Sequence, residues 1–122
     1  MAKLRHVAMV VEDMERTATF YEQAFGMQRV RQSATSIGLS DGTVSLVIIH
    51  PSNVNMKTDN RRGLHHLGFL IDDMDAVTAK VEAGGGTYKG EILGSGHGPQ
   101  GERKYHDPNG VMFDITTAQH AR

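Results

Sequence analysis

The chain has 122 residues, no cysteine and a formal net charge of −1, from 13 Lys and Arg against 14 Asp and Glu. The length predicts a single domain, and the absence of cysteine excludes disulfides, thiolate metal sites and cysteine nucleophiles. The balanced charge argues against nucleic acid or a membrane surface as a partner. With no apolar N-terminal segment and no run of about 18 apolar residues, the sequence predicts a cytoplasmic protein.

The first half of the chain predicts a strand, a helix and three further strands. Residues 5–11 alternate between two faces, as in a strand, and His6 lies on the face with smaller side chains. Asp13 is a candidate N-cap for a helix that ends at Gly26. Three further strands are predicted at 28–32, 35–40 and 43–50.

The second half repeats the first. Residues 51–63 are polar and rich in turn-forming residues, which predicts a linker. A shift of sixty residues then aligns residues 4–26 with 64–86 without a gap, and places His66 on His6. The repeated elements are predicted as a strand at 64–71, a helix at 73–84 and strands at 87–92, 102–106 and 111–117.

This duplication predicts the fold class. Residues 4–50 form one βαβββ module and residues 64–117 a second, within a single domain over residues 1–122. Modules of this size bury little core alone, so we expect them to share burial. The expected fold is therefore α+β, with two βαβββ modules.

Three residues predict a metal site. His6 and His66 occupy equivalent positions on the duplicated first strand, and Asp114 lies on the last predicted strand. A carboxylate among strand residues needs a partner. Two imidazoles and one carboxylate can take three corners of a coordination sphere and leave others for water or substrate. The alternative is that each histidine is an ordinary strand residue, which explains one histidine more easily than two at matched positions.

The duplicated strand-and-helix motif carries a family resemblance. Together with the segment Asp107–Asp114, of sequence DPNGVMFD, it resembles the vicinal oxygen chelate superfamily, which includes glyoxalase I, extradiol dioxygenases, methylmalonyl-CoA epimerase and bleomycin-resistance proteins. The resemblance implies that a curved mixed sheet forms a cup around a divalent metal, such as Fe(II), Mn(II), Zn(II) or Ni(II). It assigns three of four ligand positions to His6, His66 and Asp114, and it implies a homodimer that binds a small-molecule substrate.

The fourth ligand position departs from the glyoxalase pattern. Matching the two hairpins places Leu46 opposite Asp114, and a slip of two residues places Ile48 there; neither can bind a metal. Extradiol dioxygenases use two histidines and one carboxylate, a set with open positions that suits Fe(II). The sequence thus favours a metal-dependent enzyme of oxygenase type. A glyoxalase I-like lyase or epimerase, and a non-catalytic binding protein of the bleomycin-resistance type, are the alternatives.

Three side chains are candidate acid–base groups. His97 lies in a glycine-rich segment predicted to be a flap, Tyr105 precedes the last hairpin, and His50 ends the fourth strand. Because Tyr105 and His106 are adjacent on a strand, only one of them is expected to face the site. Lys104 and Lys89 are expected to be solvated, with binding of an anionic substrate group by one of them as the alternative.

Overall fold

The structure is a computed structural model that describes residues 2–53, 61–93 and 100–118. The first module contains β1 (Lys3–Val10), α1 (Met14–Phe25), β2 (Gln28–Gln32), β3 (Ser36–Ser40) and β4 (Ser45–Ile49). The second contains β5 (Gly63–Leu70), α2 (Met74–Ala83), β6 (Thr87–Ile92), β7 (Glu102–His106) and β8 (Met112–Thr116). The predicted α+β class and both βαβββ modules are confirmed. Neither helix in the described residues has the length and hydropathy needed to cross a bilayer.

The chain divides into two compact units, His6–His65 and Met1–Arg5 with His66–Arg122. In the first module the strand order is β2-β3-β4-β1, with β1 and β4 parallel and the other neighbours antiparallel. The Asp13 carboxylate accepts the Arg16 N–H at 3.0 Å, which caps the start of α1. Gly26 ends the helix with φ of 69°. The core of this module contains Ala18, Ile37, Leu39 and Ile48.

In the second module the strand order is β5-β8-β7-β6, with β5 and β8 parallel and the other neighbours antiparallel. Register pairs Gly68 of β5 with Asp114 of β8, and Asp114 in turn with Lys104 of β7. Side chains alternate along a strand, so one sheet face carries Asp114 and Lys104. The opposite face packs against α2 through an apolar cluster of Ile71, Met74, Tyr105 and Ile115.

Gly101, just before β7, is a position where only glycine fits. Its φ is 73°, and a Cβ there would stand 2.5 Å from the carbonyl oxygen of Ile92. The left-handed backbone costs another residue about 1–2 kcal/mol, and a clash with backbone adds about 1–3 kcal/mol. We expect Gly101→Ala to lower the free energy of unfolding in urea by about 2–5 kcal/mol.

Gly110→Ala is the matched control, because Gly110 also has a positive φ, of 83°, but open space where a Cβ would stand. Its expected loss is the conformational contribution of the left-handed backbone alone, about 1–2 kcal/mol. Equal losses in the two variants would contradict the role of the Ile92 contact.

Candidate metal centre

His66 and Asp114 form the middle of a buried polar cluster in the second module. His66 Nε2 lies 3.2 Å from Asp114 Oδ2. Asp114 has no exposed surface and His66 is 9% exposed. Gly68 is the register partner of Asp114 and lies two residues beyond His66 on the same face. Because Gly68 has no side chain, the imidazole and the carboxylate can meet across the two strands.

Lys104 and Glu102 extend this cluster along β7. Lys104 Nζ donates to Glu102 Oε1 at 2.9 Å and to Asp114 Oδ2 at 3.4 Å. Lys104 is 3% exposed, so the expectation of a solvated lysine is wrong. The sequence could have indicated this position of Lys104. Counting outward along both strands from the Asp107–Gly110 turn pairs residue 106 with 112 and residue 104 with 114, which places Lys104 beside Asp114.

The charged groups of this cluster shift the pKa values of Glu102 and Lys104. Burial and the charge of Asp114 raise the pKa of Glu102, against the opposing effect of the Lys104 ammonium. Burial tends to lower the pKa of Lys104, but the negative charges of Asp114 and Glu102 outweigh that effect and raise this pKa above its usual value. Lys104 is therefore a buried ammonium at neutral pH, held between two carboxyl groups.

The position in the first module that corresponds to Asp114 is Val47. Gly68 pairs with Asp114, and its equivalent Ala8 pairs with Val47. Leu46 and Ile48 instead contribute to the core beneath α1, so the assignment of the fourth ligand position to either of them is wrong. Valine cannot bind a metal either.

The cause of this one-residue error lies in the hairpin turns. In the first turn the Asp41 N–H donates to the Val44 carbonyl, whereas in the second the Asp107 N–H donates to the Val111 carbonyl. The first turn is thus one residue shorter than the second, and matching their glycines shifts the strand that follows.

His6 lies on β1, in parallel register with Ser45 of β4. Adjacent ligands of one ion, with bonds of about 2.1 Å, stand roughly 3 Å apart, which agrees with the spacing between His66 and Asp114. Two imidazole nitrogens and one carboxylate oxygen form a donor set suited to divalent iron, manganese, zinc or nickel.

Three side chains were predicted to be acid–base groups at this site. His97 lies outside the described residues. The ring of Tyr105 stacks on Phe113, with centroids 5.8 Å apart, inside the apolar cluster beneath α2. The assignment of Tyr105 to the site is therefore wrong, because its side chain is on the sheet face opposite Asp114. The alternation of β7 places His106 on the Asp114 face instead.

His50 has a structural partner at the end of β4. Its Nδ1 accepts the Ser52 backbone N–H at 3.1 Å and lies 2.7 Å from Ser52 Oγ. These contacts hold the imidazole in the turn that follows the strand. Both contacts are made by Nδ1, so Ser52 does not contact Nε2 through them.

Comparison with known proteins identifies the family. The profile of the Glyoxalase/Bleomycin resistance protein/Dioxygenase superfamily matches residues 3–115, nearly the whole chain. The chain belongs to this superfamily. The resemblance stated from the duplicated motif is thereby confirmed. No functionally curated protein matches the sequence significantly.

Solved structures with the same fold include several epimerases of this superfamily. A methylmalonyl-CoA epimerase in complex with methylmalonyl-CoA and NH4+ is 22% identical, with a TM-score of 0.73 and coverage of 100% of this chain and 98% of that one. A Streptomyces coelicolor methylmalonyl-CoA epimerase variant bound to 2-nitronate-propionyl-CoA is 22% identical, with a TM-score of 0.69 and coverage of 96% and 97%. The Mycobacterium tuberculosis methylmalonyl-CoA epimerase is 18% identical, with a TM-score of 0.70 and coverage of 93% and 85%.

Proposed function

We propose that this superfamily member is a metal-dependent enzyme that acts on a small oxygenated substrate. His6, His66 and Asp114 would hold the divalent ion, and the observation that carries this proposal is the 3.2 Å between His66 Nε2 and Asp114 Oδ2, two buried ligand atoms of the second module. Bound there, the ion would supply Lewis-acid polarisation of a substrate oxygen. Three protein ligands leave coordination positions for a substrate with two neighbouring oxygens, as catalytic sites require.

For the reaction we propose proton transfer at a carbon next to a carbonyl, of the epimerase or lyase type, ahead of the oxygenase expected from the sequence. The support is the set of solved structures with the same fold, several of which are epimerases bound to acyl-CoA compounds. The oxygenase is the second candidate, because Val47 supplies no metal ligand at the position that corresponds to Asp114. Both candidates use the same three residues.

A non-catalytic binding protein is the third and weakest candidate. A groove that only sequesters an apolar ligand has no need of a carboxylate buried beside an imidazole, since burying such a group is unfavourable without a matched partner. His66, Asp114 and Lys104 together make that arrangement here. The buried cluster therefore favours catalysis over sequestration.

One preparation can separate these candidates. Protein purified without chelators is analysed for metals, and then assayed with a methylmalonyl thioester in D2O, with a hemithioacetal and with a catechol, each with and without air. We expect deuterium incorporation at the α-carbon, or conversion of the hemithioacetal, that proceeds without oxygen. Turnover only of the catechol, with matching oxygen uptake, would establish the oxygenase; no metal and no turnover would leave a binding protein. Sedimentation of the same sample is expected to give a dimer.

A further inference from the structure

Lys104 contacts the Asp114 carboxylate, yet the proposed reaction assigns it no task. Its Nζ lies 3.4 Å from Asp114 Oδ2, the same oxygen that lies 3.2 Å from His66 Nε2. Nζ also lies 2.9 Å from Glu102 Oε1. With 3% of its surface exposed, this lysine is held by two carboxyl groups and has little freedom to leave Asp114.

A buried ammonium beside a metal ligand can act in two opposite ways. It can repel an incoming cation, in which case removing it would tighten metal binding. It can also orient the carboxylate that binds the ion, in which case removing it would weaken binding. Groups that hydrogen-bond to a metal ligand and fix its orientation typically change metal affinity about 10–100-fold when they are mutated.

The neighbouring Glu102 decides between these effects. Its carboxyl group lies 2.9 Å from the ammonium, so the negative charge that it carries when ionised offsets part of the repulsion between the ammonium and a metal ion. The repulsive effect is therefore reduced, whereas the hydrogen bond to Asp114 Oδ2 remains. Orientation of Asp114 is the larger contribution.

We propose that Lys104, held by Glu102, is a positioning residue that sets Asp114 Oδ2 beside His66 Nε2 before the ion binds. This inference rests on the proposed metal site and deepens it. It makes Lys104 and Glu102 a unit that determines how strongly Asp114 binds the ion. It requires no contact between Lys104 and the substrate.

The test compares the metal-free protein with the double variant Glu102→Gln/Lys104→Met, which removes both charges and leaves no lone charge from the pair. Zinc chloride and cobalt(II) chloride are titrated by calorimetry, and the visible spectrum of the cobalt(II) form is recorded. We expect affinity to fall about 10–100-fold and the cobalt(II) spectrum to change, because Asp114 is no longer oriented. Lys104→Arg, which keeps a charged donor, should recover part of the affinity. Lys89→Met, at an exposed lysine of β6, should leave both measurements unchanged.

Equal or tighter metal binding by the double variant would overturn the inference and leave the metal site standing. Failure of the unaltered protein to bind either ion would overturn the proposed site and this inference with it. Thermal unfolding of each metal-free variant shows whether lost affinity reflects lost structure. If the double variant does not fold, Lys104→Gln, which replaces the ammonium with a shorter neutral donor, carries the test with the same expected loss.

Discussion

The Asp114→Asn variant is expected to lose its bound divalent metal and, with it, at least about 10³-fold of its turnover. Asparagine preserves the shape of the side chain but removes the negative charge that the ligand set contributes toward the ion. A metal ion supplies several kcal/mol of transition-state stabilisation, and each 1.4 kcal/mol corresponds to about tenfold in rate. His66→Ala is expected to have the same effect, because it removes the imidazole that lies 3.2 Å from that carboxylate.

Metal content by elemental analysis and turnover of the substrate found in the screen are measured on the same preparations. Asp75→Asn is the control, because that carboxylate lies in the first turn of α2 with its side chain 89% exposed. It should retain both metal and activity. Full metal content together with full turnover in Asp114→Asn would refute the assignment of the metal site.

The second large effect concerns stability in the absence of metal. Lys104→Met leaves the carboxyl groups of Glu102 and Asp114 buried without the ammonium that both contact. Removing one partner of a buried ionic group is expected to lower the free energy of unfolding by about 3–5 kcal/mol. Adding Glu102→Gln to the same chain removes one of these two carboxylates and leaves Asp114 beside His66, so the double variant should recover part of that loss.

Urea unfolding of the metal-free proteins at neutral pH measures this difference. Lys89→Met, at a solvent-facing lysine, should unfold as the unaltered protein does. A loss in Lys104→Met no larger than in this control would mean that water or relaxation of the strand replaces the ammonium at low cost. Similar losses in the single and double variants would show that a lone Glu102 carboxylate is not the cause of the loss.

The elements could be predicted from the sequence because their signals are local: the caps at Asp13 and Gly26 and the alternation of the strands depend on neighbouring positions. The duplicated histidines could be predicted because the sequence, compared with itself at a shift of sixty residues, aligns His6 with His66. The face on which a strand residue lies depends on register, and a slip of one residue reverses it. Leu46 and Tyr105 were misplaced for this reason.

The burial of Lys104 illustrates the other limit of prediction. Composition favours a solvated lysine, since lysine is rarely buried unless it is paired. Its partners, Glu102 and Asp114, come from its own strand and from the neighbouring strand, and only the pairing of β7 with β8 brings the three charges together. Residue type alone therefore gave no reason to include Lys104 in the site.

Because Val47 stands where the second module has Asp114, the first module adds no negative charge at that position when a metal ion is bound. Two neutral imidazoles and one carboxylate offer a single negative charge to a divalent cation, and the opposite charges of Lys104 and Glu102 leave that sum nearly unaltered. One excess positive charge would therefore be left for a substrate to balance. A monoanionic oxygen group, such as an enolate or a singly ionised diol, would match it, whereas a glutamate in place of Val47 would already have cancelled that charge.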